Sequence, residues 1–598
     1  MQTKTDFSWY KNHKDAKPID TIQKIRSILY QELGFLLREE TISMYSDCFF
    51  SSRITPPFAF HLGANGKGIT HEYALASGYS EFMERLQNLS LFGRNFGLMN
   101  EFILKRPSCK VMPLDEIMEE NEAFFKNILK GEMKNIEKLP SNHSFNCIPY
   151  YNVNRNKVCY LPEFLYSFTT SNGMCAGNTP EEAIAQGICE IFERYVIRYI
   201  YENKLTIPTI PLSELENLSI YNHIDQLESK GFKIIVKDCT LNGLLPVLAV
   251  IIFKNEYSKC IVNFGADLSF EVALMRCLTE AFQGFESKYE GKMFEYNLLD
   301  GRADILTKKG IDDFQISCFL TDFFYSVGVP NYKTAFLDEF ISSKHSLSFL
   351  RDKLINTGYE IYVHDSSFLN FPTFHIYIPG MSEFYDIDYF KQSLDFAPSI
   401  KILLNLPNAT KEQIVDCIKS IEEYRVDPFR QFAYSSDNGQ LLRDSTKLIS
   451  DSDINISIDF LLFLLCVKVK DYKKAICYID NYLKSLEKLK AKLSNQNYFF
   501  CIMHYLKLKV ANDKTDQEIR FDLYCLFSAT LVDNVIESIN NSDTILDNFE
   551  FPTCGNCLTC KIKNKCRYQD WLQVAKRLQA KLDTNIIDQE SVYSYFIS

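Results

Sequence analysis

Two glutamates three residues apart, followed by an arginine, occur twice in the chain: Glu81, Glu84 and Arg85 in NGKGITHEYALASGYSEFMERL, and Glu190, Glu193 and Arg194 in NGMCAGNTPEEAIAQGICEIFERY. Acids one helical turn apart share a face and can hold one divalent cation; Mg2+ with triphosphate oxygens suits such a hard, oxygen-rich set. Arginines beside them can neutralise phosphate charge. The plain alternative is an amphipathic helix with its acids in water, and a third is an acid-cluster metallohydrolase, which the repeated arginines suit less well.

The recurrence is in register. At an offset of 109 residues, positions 70–85 fall on 179–194 with eight of sixteen identical: Thr70/Thr179, Glu72/Glu181, Ala74/Ala183, Ala76/Ala185, Gly78/Gly187, Glu81/Glu190, Glu84/Glu193 and Arg85/Arg194. A weaker third copy follows NFGAD, where Glu271, Ala273 and Glu280 match Glu181, Ala183 and Glu190 at an offset of 90 residues. Each of the first two copies follows a glycine-rich turn whose backbone amides could cradle an anion. Thr179 is an expected N-cap, Pro180 suits the first helical position, and Glu182 stands where a capping-box acid belongs. Ile184, Ile188, Ile191 and Tyr195 form an apolar stripe, with Glu182, Gln186, Glu190 and Glu193 on the other side. Gly78 and Gly187 sit mid-helix, each costing roughly 1 kcal/mol against alanine. That repeated cost predicts close packing against another backbone.

A second set of ligand-type residues lies near the C-terminus. CGNCLTCKIKNKC spaces Cys554, Cys557, Cys560 and Cys566 as C-x2-C-x2-C-x5-C. Four thiolates at that spacing suit Zn2+ or an iron–sulfur cluster. The other fifteen of nineteen cysteines are scattered, mostly among apolar neighbours, and read as small core residues. Among the nine histidines, His61, His71 and His364 have no partner spacing that marks a base, so catalytic residues stay unassigned.

The elements that must position these groups are of mixed type. KIIVKD (233–238), PVLAVIIF (246–253) and KCIVNFGA (259–266) read as strands between helical stretches, an α+β pattern. LESKGFKIIVKD and LINTGYEIYVHD repeat a helix-end, glycine, strand order. From 445 to 545 helical periodicity takes over, as in DYKKAICYIDNYLKSLEKLKAKL. The boundaries expected are 1–440 for the α+β domain, 445–545 for the helical domain and 551–598 for the cysteine tail. The 598 residues, 46% of them hydrophobic, can bury a large core. A net charge of −11 argues against a broad nucleic-acid surface. The apolar runs at 244–253 and 460–467 are too short to span a bilayer, and the polar N-terminus lacks a signal-peptide core. The expected compartment is the cytoplasm, with reduced cysteines and no membrane partner.

These blocks, together with SNGMCAGNTPEEA, NFGADLSFEVALMRCLTEAFQG, TIPTIPLSELE and IPGMS, resemble the YcaO family over most of the chain from Lys14 to about 545. The resemblance implies a YcaO-type ATP-binding domain without a Walker loop, followed by a TPR-like helical domain, and a homodimer. It implies that Glu81, Glu84, Glu190 and Glu193 hold Mg2+ and that Asn178, Glu182, Arg194, Arg276 and Glu280 surround ATP. Lys14 and Thr21 join them through KDAKPIDTI, which is similar to a nucleotide-touching segment of the family. The implied reaction is phosphorylation of a backbone amide oxygen of a peptide or protein, ahead of azoline, thioamide or amidine formation. The azoline branch often ends in PxPxP, whereas this chain ends SVYSYFIS. The enterobacterial branch implies an accessory role in methylthiolation of a small-subunit ribosomal protein, beside a RimO-like radical enzyme. It does not show the cysteine cluster. A different reading of the helical domain is a nucleotide-switched scaffold that recruits a partner.

Overall fold

The computed structural model describes residues 14–44, 48–57, 63–91, 104–129, 144–254, 259–283, 296–297, 323, 326–337, 342–384, 399, 402–403, 405–424, 458–488, 496–511, 514–541, 556–559, 563 and 568–597. Compactness divides the chain into one unit made of 1–90, 105–390 and 574–598, and another made of 91–104 and 391–573.

The first unit holds three antiparallel sheets. Strands β1 (Arg38–Met44), β2 (Phe49–Thr55) and β3 (Ala64–Gly68) form one sheet in that order. β4 (Lys110–Pro113), β5 (Ser144–Asn152), β6 (Lys157–Pro162) and β7 (Met174–Ala176) belong to a second, completed by β13 (Tyr362–Asp365) and β14 (Thr373–Tyr377) in the order β4-β5-β13-β14-β7, with β6 also on β5. β8 (Thr209–Ile210), β9 (Phe232–Asp238), β10 (Val247–Lys254), β11 (Lys259–Ala266) and β12 (Tyr296–Asn297) make the third, in reverse chain order. The expected strands are therefore present, within a mixed fold. In both helix-end segments the glycine, Gly231 and Gly358, turns the chain at φ +85°, a left-handed conformation that other residues adopt only with strain.

The chemistry-bearing helices follow a strand in each copy. α1 (Pro18–Ile28) precedes the sheets; α2 (His71–Gln87) follows β3, α3 (Pro180–Glu202) follows β7, and α4 (Phe270–Glu280) follows β11. Their N-caps occupy equivalent positions: Thr70 accepts from Tyr73 N, Thr179 from Glu182 N, and Ser269 from Val272 N. The third copy is thus a structural one, its cap changed only from threonine to serine. α3 lies between two sheets, burying Ile184, Ile188, Ile191, Phe192 and Val196 with Val247, Ala249 and Ile251 of β10 and Phe374 and Ile376 of β14.

Small residues let each helix lie down on its strand. A Cβ on Gly66 would stand 1.9 Å from Ala74 O and 2.4 Å from Gly78 N, both backbone atoms with nowhere to move. A Cβ on Gly78 would stand 3.1 Å from Ser52 Oγ and 3.3 Å from Gly66 N, a contact that is partly backbone, but one on Gly187 would meet the Cys175 Sγ at 2.7 Å and Ile376 Cδ1 at 2.8 Å. The mid-helix glycine of the second copy therefore makes room for side chains, not for backbone. Gly66→Ala is expected to cost about 3 kcal/mol or more, read as a lowered melting temperature, whereas Gly358→Ala, which meets nothing within 4 Å, costs only its positive-φ strain.

The C-terminal segment joins this unit. Val592 and Phe596 are buried in the core around α3, and Gln589 exchanges hydrogen bonds with Asp365 through Asp365 N (2.8 Å) and Asp365 O (3.0 Å). Those contacts explain why 574–598 groups with the sheets and not with the cysteine tail expected at 551–598. Cys554, Cys560 and Cys566 lie outside the described residues; Cys557 is exposed. Among the described residues, the second unit is helical. α5 (Lys411–Tyr424), α6 (Ile458–Val469), α7 (Tyr472–Lys488), α8 (Gln496–Ala511), α9 (Asp516–Tyr524) and α10 (Ala529–Asn540) pack mostly on chain neighbours. α6 is apolar nearly all round, with Phe460 through Val467 buried, as a helix enclosed by its neighbours must be. Among the described residues, no helix is long and apolar enough to cross a membrane.

Candidate functional site

Successive copies pack on one another. α2 reaches the second copy's β7, where Arg85 Nη1 lies 3.7 Å from Met174 Sδ. α3 packs on the third copy's β11. α4 returns to the first copy's β3, where Glu280 pairs with Lys67 and Gln283 Nε2 donates to Asn65 O. The order closes on itself and directs Glu81, Glu84, Glu190, Glu193 and Glu280 toward common neighbours.

Electrostatics show the convergence. Burial raises the Glu84 carboxyl well above the usual range; Arg85 pulls it down, while Glu190 and Glu81 push it up further. Burial likewise raises Glu81, against Arg85 and Lys67 and with Glu190. Glu193 is raised by burial, opposed by Arg194 and Lys67, with Glu190 and then Arg276 acting in opposite directions. Two acid pairs 109 residues apart in sequence thus feel one another. Arg85 stands 3.1 Å from Glu84 and 3.8 Å from Glu81. Burial works against its charge, and Glu84, Glu81 and Glu190 more than offset that. Lys67 is held below the usual ammonium range by burial and Arg276, against Glu193, Glu81 and Glu190.

Among the described residues, no three His, Cys, Asp or Glu side chains stand together as a formed metal site. The donor set nonetheless fits Mg2+ in kind: four carboxylates that repel one another, partly screened by Arg85 and Lys67. Hard oxygen donors whose charge lacks full compensation are what such a cation would take.

A separate hub forms at the N-terminus of α3. Glu182 is nearly buried and accepts from Asp15 N at 3.1 Å and Asn178 Nδ2 at 3.1 Å, with the Lys14 ammonium 3.2 Å away. Lys14 also donates to Gln186 Oε1 at 2.8 Å, and Thr21 Oγ1 to Asn178 Oδ1 at 2.7 Å. Asp15 further receives hydroxyl bonds from Thr179 and Ser343. The four residues expected from the two distant motifs are therefore linked in one chain of contacts, Lys14 to Glu182, Glu182 to Asn178 and Asn178 to Thr21. Glu182 does not act as a capping-box acid: its oxygens serve Lys14, Asp15 and Asn178. Burial alone would raise its pKa, but Lys14 and these hydrogen bonds leave it below the usual range. Glu182, Gln186, Glu190 and Glu193 lie within about 80° of one another around the helix, and Glu190 sits roughly 12 Å along it from Glu182. None of the four is fully exposed, so this face is not the solvated one of a surface helix.

Arg276 bonds Asp267 at 3.4 Å. Lys67 is a site residue that the motifs do not mark. Its one signal is the asymmetry of the copies, since positions 176 and 266 that correspond to it are both alanine. Of the histidines, His364 is buried with Nδ1 2.8 Å from Pro149 O, and burial drops its pKa to about 3, leaving it neutral. His71 is exposed, and His61 lies outside the described residues.

A family model described as YcaO cyclodehydratase, ATP- and Mg2+-binding, matches residues 65–382. A relative from Escherichia coli strain K12, described as ribosomal protein S12 methylthiotransferase accessory factor YcaO, is 28% identical over 465 residues, covering 71% of this chain and 77% of its own. An uncharacterised Haemophilus influenzae protein is 29% identical over 418 residues, 66% of this chain and 70% of its own. Among solved structures, a heterocyclase in complex with substrate and cofactor matches at TM-score 0.48 and 20% identity; the match covers 62% of this chain and 54% of that one. YcaO from Methanopyrus kandleri bound with AMPPCP and Mg2+ matches at TM-score 0.40 and 15% identity over 62% of this chain and 92% of that one.

Proposed function

The chain belongs to the YcaO family, and from that premise we propose that it binds ATP with Mg2+ and activates a peptide or protein backbone amide by phosphorylating its oxygen. The observation that carries this reading is the convergence of Glu81 and Glu84 with Glu190 and Glu193, beside the Lys14–Glu182–Asn178–Thr21 hub on the same helix. Glu81, Glu84, Glu190 and Glu193 would hold Mg2+, which when bound supplies charge neutralisation at phosphate oxygens. Lys14, Thr21, Asn178 and Glu182 orient the nucleotide along α3. Arg194, Arg276 and Glu280 border it, and Lys67 adds a cation from β3. In the reaction, the amide oxygen bonds to the γ-phosphorus as the bond to the β-phosphate oxygen breaks and ADP leaves. A nucleophile then adds to the activated carbon, and phosphate departs. The residues' part is to orient and to stabilise developing charge.

The likeness to the Escherichia coli factor supports an accessory role in ribosomal-protein methylthiolation, with a RimO-like enzyme as partner; thioamide or azoline formation is the alternative outcome of the same activation. Mass spectrometry of ribosomal proteins and cellular peptides from a deletion strain tests this. A lost methylthio group on a ribosomal protein supports the accessory role, and a lost azoline or thioamide redirects it. A second reading, a nucleotide-regulated scaffold, is favoured by the helical unit having its own buried core around α6. Phosphate release in step with product supports the enzyme; nucleotide binding without turnover supports the scaffold. Zinc or an iron–sulfur cluster at Cys554, Cys557, Cys560 and Cys566 remains a proposal of the spacing alone. Metal analysis with ultraviolet–visible spectra after anaerobic purification separates the two.

A further inference from the structure

We propose that Gln87 and Asn88 are positioning residues that set the spacing of the two acid pairs, acting through the turn between β13 and β14. The inference rests on the magnesium–nucleotide reading above. Gln87 and Asn88 follow Glu84 by about one helical turn and are almost completely buried. Both amides face the same turn. Gln87 Nε2 donates to Phe371 O at 2.8 Å and Thr373 Oγ1 at 2.6 Å, while Leu369 N donates to Gln87 Oε1 at 2.7 Å. Asn88 Nδ2 donates to Phe374 O at 3.3 Å, and Ser366 Oγ donates to Asn88 Oδ1 at 3.2 Å.

The other side of this turn is bonded to the second acid helix. Gly177 N, two residues before the α3 N-cap, donates to Pro372 O at 3.1 Å, next to the carbonyl that Gln87 uses. β14 continues by pairing Thr373 with Ala176, Phe374 with Cys175 and His375 with Met174. Residues 366–374 thus form one plate to which the C-terminal end of α2 and the entry of α3 are both fastened. A buried amide needs its partners, because an unmade hydrogen bond there costs the full desolvation of the group. The plate therefore admits one placement of Glu81 and Glu84 relative to Glu190 and Glu193. Cations that bridge two helices depend on that placement, as outer-shell partners do in metal sites generally.

The test is the Mg2+ concentration that half-saturates binding of a non-hydrolysable ATP analogue to the full chain. Gln87→Met, which keeps bulk and loses all three bonds, is expected to raise it about 10-fold or more. Asn121→Leu is the control. It removes buried bonds of the same kind, Asn121 Nδ2 to Ile117 O (3.0 Å) and Tyr160 O (2.8 Å), at a place that does not touch the plate. It should lower the melting temperature and leave the Mg2+ midpoint unchanged. If Gln87→Met does not fold, Thr373→Val, which removes the hydroxyl from the same amide, takes its place. A midpoint unchanged in Gln87→Met, or moved equally in Asn121→Leu, overturns the positioning role while the nucleotide reading stands. A wild-type chain without magnesium-dependent binding overturns that reading, and the inference with it.

Discussion

Glu190→Gln is expected to weaken magnesium-dependent nucleotide binding by roughly 100-fold or more, since on the proposed reading it removes a direct ligand where even an outer-shell loss costs 10- to 100-fold. The melting temperature of the metal-free protein should stay level or rise. Glu190 pushes up the pKa of both Glu84 and Glu81, so neutralising it relieves repulsion among buried acids. Loss of ligand affinity with retained or improved stability is the signature of a site whose acids are kept for binding. Arg85→Met should behave in the opposite way. It removes the cation at 3.1 Å from Glu84 and 3.8 Å from Glu81, leaves those carboxylates uncompensated, and lowers metal-free stability. Calorimetric titration with AMPPCP and Mg2+, beside thermal melts, reads both. Unchanged nucleotide affinity in Glu190→Gln would sink the assignment.

The second large effect is a pH dependence that Mg2+ changes. Glu81, Glu84 and Glu193 carry folded-state pKa values raised above the ordinary range. The folded chain therefore holds more protons at these groups than the unfolded chain does, and stability falls as pH rises. Their contribution is complete below the unfolded glutamate pKa of about 4.3 and is lost as pH climbs through the raised values. Glu182 works in the other sense: its pKa is lowered, so its contribution is present above the unfolded value and lost as acid titrates the folded carboxylate. On the proposed reading Mg2+ displaces the protons on the raised acids, so its binding would release protons and strengthen with pH. Melting temperatures in chelator should then decline from mildly acidic to alkaline pH, and added Mg2+ should restore more at the alkaline end. Calorimetry in two buffers of different ionisation enthalpy counts the released protons. A magnesium increment independent of pH would contradict this account.

Much of the local architecture is legible in the sequence because it is local. Thr179 and Pro180 at the start of α3 follow from capping preference, and the apolar stripe from Ile184 to Ile191 follows from helical period. The in-register copies mark the positions of the acids by recurrence alone. Lys67 is hidden, since nothing in NGKG says that its ammonium meets Glu280 more than two hundred residues on. Glu182 resembles a capping acid because a helix start offers that role locally, whereas the competing partners, Lys14 and Asp15, arrive from a distant segment. Gly187 is a similar case: periodicity announces a tight contact but cannot say that Cys175 and Ile376 fill it. The turn at 366–373 carries no signal at all, its hydrogen bonds being largely to backbone atoms that any sequence supplies.

The closed order of the three copies has a consequence for symmetry. Each helix leans on the next copy's strand, so one position of the repeat recurs once in each of three linked copies. Positions 81, 190 and 280 are all glutamate, while 84, 193 and 283 run glutamate, glutamate, glutamine. A ring of three identical pairs would present any guest with three equivalent approaches. Gln283, turned aside to Asn65 O, with Lys67 set against Glu280, removes one of them. The third copy is thus not equivalent to the other two, and on the proposed reading a nucleotide held there meets two acid pairs and one sector already closed by internal contacts.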